Sequence, residues 1–96
     1  MTLMEAKATL RDENATPGLW AIAAGVVYLQ TPIEDRLSAE TLELLLICLK
    51  RKGGAMGSGA LGLYVWTERS VPKNELDWSH DPAEWRSHLK AKGLLV

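Results

Sequence analysis

SAETLELLLICLKRKGG, residues Ser38 to Gly54, is the one stretch whose start, apolar face and end are all written in its residues. The Ser38 hydroxyl suits an N-cap, and Glu40 adds negative charge where the helix dipole favours it. Leu42, Leu45, Leu46 and Leu49 recur at helical spacing, and Leu44, Ile47 and Cys48 widen that stripe. A helix apolar over so much of its circumference needs cover on more than one side. Lys50, Arg51 and Lys52 crowd the last turn, where unpaired carbonyls attract cations, and Gly53 is a residue that can end the helix.

Outward from this helix, the signals are mostly helical. Toward the N-terminus, Leu3, Ala6 and Leu10 fall at helical spacing among charges, predicting a short amphipathic helix within Thr2 to Glu13, broken by Asn14 to Gly18. Thr16 and Pro17 read as N-cap and first helical position for a second helix over Leu19 to Gln30. A strand competes there, because Val26, Val27, Tyr28 and Leu29 favour β structure and Gly25 weakens a helix interior. Thr31, Pro32 and Glu34 repeat the capping chemistry and predict a short helical turn leading into Ser38.

Toward the C-terminus, Gly53 to Gly62 reads as a loose, glycine-rich loop, and Leu61 to Trp66 is an apolar run too short to classify as strand or helix by periodicity. Val71 to Ser79 is a polar connector. Asp81, Pro82 and Glu84 then open a last helix from Pro82 to about Lys92, which Gly93 ends, with Leu94, Leu95 and Val96 folding back on it. The fold expected is mainly α: a compact single domain spanning residues 1–96, with four to five short helices. A short strand at 61–66 is the open alternative to helix there.

Composition narrows the functional classes. Ninety-six residues suffice for one core but not for two, and 11 basic against 12 acidic side chains suggest neither a nucleic-acid-coating protein nor an acidic mimic of one. The charge is polarised: residues 1–49 carry 3 basic and 7 acidic side chains, residues 50–96 carry 8 and 5. Cys48 is the only cysteine and sits among leucines, so a buried, inert thiol in a reducing compartment is expected. The longest apolar run, Leu19 to Leu29, is too short to span a bilayer, and no leader pattern precedes it; the expected setting is soluble and cytoplasmic.

Motifs that carry chemistry are weak. Gly57, Gly59 and Gly62 have the spacing of a dinucleotide-binding turn, but a lysine-rich helix precedes them where a strand is required. His80, Asp81, Glu84 and His88 are the densest group of metal-ligating types, yet capping already accounts for Asp81 and Glu84. No nucleophile, base and acid combination stands out. Neither cofactor nor metal is expected, and the chain reads as a non-enzyme.

Two readings of function remain. Ala15 to Ile33 and Gly53 to Thr67 contain no charged residue and place Trp20, Tyr28, Tyr64 and Trp66 in uncharged surroundings. A small domain has little interior, and Trp and Tyr are favoured contact anchors, so these four are the expected protein interface. The same residues serve equally well to complete a core that has no Phe. The expected function is a protein-binding module, a small regulator or inhibitor that occupies a partner protein's surface and also self-associates, most simply as a homodimer. The second reading concerns Trp85 and Leu89 on one face of the last helix and Arg86, Ser87 and Lys90 on another, followed by Gly93 and the apolar terminus. That order resembles the recognition helix and following strand of a winged-helix DNA-binding domain, with Lys73 to Trp78 in place of the preceding helix. The resemblance implies a DNA-binding regulator whose basic face enters the major groove.

Overall fold

The computed structural model describes residues 1–52, 54–68, 70 and 80–96. Among them the chain forms α1 (Leu3–Arg11), α2 (Pro17–Gln30), a 3-10 turn (Ile33–Asp35), α3 (Ala39–Lys50), α4 (Gly54–Trp66) and α5 (Pro82–Ala91), with no strand. The mainly α architecture is the one that the residue pattern predicts. The polar connector Val71 to Ser79, and with it Lys73 to Trp78, lies outside the described residues, as does Gly53.

Local chemistry explains most helix starts. Thr2 and Glu5 form a reciprocal capping box on α1, with N–H···O distances of 3.0 and 3.1 Å. The Thr16 hydroxyl accepts from the Leu19 N–H at 3.3 Å, and Pro17 occupies the first turn of α2, where its missing N–H costs nothing. Ser38 accepts from the Thr41 N–H at 3.2 Å, and Asp81 from the Ala83 N–H at 2.9 Å. Thr31 departs from expectation: its hydroxyl donates back to the Val27 carbonyl at the end of α2, and the 3-10 turn has no side-chain cap. The end of α5 follows the residues closely. Gly93 takes φ +79°, its N–H donates to the Lys90 carbonyl at 3.0 Å, and the Leu94 N–H donates to Leu89 at 2.9 Å.

The expected glycine loop is a helix instead. Gly57, Gly59 and Gly62 all lie inside α4, which absorbs Leu61 to Trp66 as well. Packing outweighs the poor helix propensity of glycine here. A Cβ on Gly59 would stand 2.6 Å from the Cys48 Cβ and 2.9 Å from the Leu45 carbonyl oxygen, so the bare backbone lets α4 lie directly on α3. On Gly62 a Cβ would meet the Leu45 side chain at 3.0 Å.

α3 is covered on two sides, as its wide stripe requires. Leu42, Leu45, Leu46 and Leu49 join Leu63, Tyr64 and Trp66 of α4, Trp85 and Leu89 of α5, and the returning Leu95 in one buried cluster. Cys48 joins Leu10 of α1 with Trp20, Ala23, Ala24 and Val27 of α2 in another. Arg51, expected to serve the last turn of its own helix, adopts extended backbone just past it and reaches α1. Its Nε and Nη2 donate to the Leu10 carbonyl at 2.9 and 2.7 Å. Lys92 does the same for α4, donating from Nζ to the Thr67 carbonyl at 2.5 Å. Both cations sit where helix dipoles favour them.

Candidate functional site

The four aromatic residues expected at an interface are placed mainly in the core. Trp20, Tyr64 and Trp66 are buried and Tyr28 is half-buried. Trp20 donates from Nε1 to the Asp12 carbonyl at 3.0 Å and lies under the Arg51 guanidinium, 4.9 Å from the ring centre. Tyr28 stacks on Trp66 with ring centres 5.6 Å apart and planes within 5°, while Arg36 lies 5.3 Å from the Trp66 ring. Tyr64 meets Trp85 edge-on at 4.8 Å. The structure therefore brings these residues together in pairs that join helices, α2 to α4 and α4 to α5, and not as one outward patch.

The exposed apolar surface lies elsewhere. Leu19, Ile22 and Leu29 on α2 are 44%, 57% and 78% exposed, Val26 beside them is half-buried, and Ile33 in the following turn is 77% exposed. At 100° per residue, Leu19, Ile22, Val26 and Leu29 fall on one face of α2, and Trp20, Ala23, Ala24 and Val27 on the face next to it. The face runs about 15 Å from Leu19 to Leu29. Gly25 lies beside it with open space around the position of a Cβ, so nothing in the fold requires a glycine there. Periodicity contained this face, but α2 has no charged residue to mark its wet side. Two apolar faces on one helix look alike until one of them is buried.

Asp12 and Glu13 precede α2, Glu34 and Asp35 follow it, and all four are exposed. None of them is ion-paired among the described residues. Asp12 lies beside the packed side of α2, its carbonyl accepting from Trp20 Nε1, and Asp35 lines a depression with Lys7, Ser38 and Glu40.

The residues of the DNA-binding reading are split. Ser87 and Lys90 are exposed on α5, but Arg86 forms a two-pronged ion pair with Glu43 of α3 at 2.6 and 2.9 Å. That hydrogen-bonded guanidinium holds the Glu43 carboxyl below its ordinary range. After Gly93 the chain turns back, and Leu94 and Leu95 pack on the core where a wing would start.

Chemistry of other kinds finds little here. Burial pushes the Cys48 thiol up to about 12, which leaves it protonated at neutral pH. Among the described residues no three His, Cys, Asp or Glu side chains converge to hold a metal ion. A broad depression of about 660 Å³ between α1 and α3 has Lys7, Arg11 and Glu40 as its charged lining, and Glu40 is already paired with Lys7 at 3.1 Å. No helix of the described residues is long and apolar enough to cross a membrane. In comparison with known proteins, the chain matches no family model, no curated protein and no solved structure.

Proposed function

We propose that this chain is a non-enzymatic protein-binding module, a small regulator or inhibitor that occupies a partner's surface, and that its contact face is the outer side of α2. One observation carries the reading: Leu19, Ile22 and Leu29 form an exposed apolar line on a helix without a single charge. Scattered surface leucines are ordinary, but contiguous ones at helical spacing are what helix recognition uses. The aromatic residues hold the helix that presents this line, and so act behind it. A DNA-binding role for α5 has less support, because Glu43 engages the guanidinium that a phosphate would need.

The test is affinity capture compared between the natural chain and the Ile22→Asp, Leu29→Asp double variant. Both positions are exposed, so the variant should keep the helical circular dichroism and thermal midpoint of the parent. A protein retained by the natural chain and lost by the variant supports the reading. Identical captures from both would remove α2 as the contact face.

A further inference from the structure

We draw no further inference here: the strongest candidate, the exposed apolar patch of Leu19, Ile22 and Leu29 on the outer face of α2, carries nothing beyond the contact face already proposed, because nothing in the structure shows what covers it.

Discussion

Arg51 and Trp20 meet at the corner between α1 and α3, the guanidinium lying 4.9 Å from the centre of the indole ring while its Nε and Nη2 donate to the Leu10 carbonyl. One side chain thus covers an aromatic face and ends a helix other than its own. Arg51→Ala should destabilise the fold by about 2 kcal/mol, combining a cation–π contact with charged hydrogen bonds to an otherwise open carbonyl. Thermal unfolding should show a drop on the order of 10 °C for a chain this size. Arg51→Lys should recover only part of it, since an ammonium cannot stack and fork at once.

The Glu43–Arg86 pair predicts an acid-sensitive link between α3 and α5. Arg86 holds the Glu43 carboxyl below its ordinary value, so the pair stabilises the fold above the ordinary carboxylate range, and the benefit disappears as pH falls through the lowered value. The two side chains are 37% and 42% exposed, so solvent screening limits the contribution to about 1 kcal/mol near pH 7. Glu43→Gln should cost that amount in denaturant unfolding at neutral pH. Below the lowered carboxyl value, the variant and the natural chain should converge.

Gly59 and Gly57 should respond in opposite directions to the same substitution. Gly59→Ala puts a methyl against the Cys48 side chain and the Leu45 backbone, so it should destabilise by about 2–3 kcal/mol as α4 is pushed off α3. Gly57→Ala meets open space and should stabilise by about 0.5–1 kcal/mol through helix propensity. Chemical denaturation of both variants measures the difference.

Cys48 should not react with thiol reagents while the chain is folded. Its thiol is buried and pushed up to about 12, so both access and the thiolate are lacking near neutral pH. Labelling in graded denaturant should follow the unfolding transition. Fast labelling without denaturant would contradict the packing of Cys48 between α2 and α4.

Much of this architecture was legible because it is local. Thr16 with Pro17, Ser38, Asp81 with Pro82, and Gly93 each act within one helical turn, and the structure uses them at the ends they signal. α4 was not legible, because Gly59 and Gly62 read as loop residues until Leu45 and Cys48 are known to lie against them. Arg51 misled for a similar reason: its acceptor, Leu10, is 41 residues away. The exposed apolar line on α2 was hidden by the absence of charge. Trp20 and Tyr28 drew attention as interface residues, while Leu19, Ile22 and Leu29 were not singled out within the same uncharged stretch.

α3 forms a wall shared by both apolar clusters, and this has a consequence for how the chain comes apart. Removing α1 and α2 would strip one side of α3, and removing α5 with the C-terminal leucines would strip the other. Neither half can melt without leaving part of a leucine-rich helix in water, so each half's survival depends on the other's. A wall with two rooms favours cooperative unfolding: the chain should open in one step, and damage on the α5 side should be felt by the helix that carries the proposed contact face.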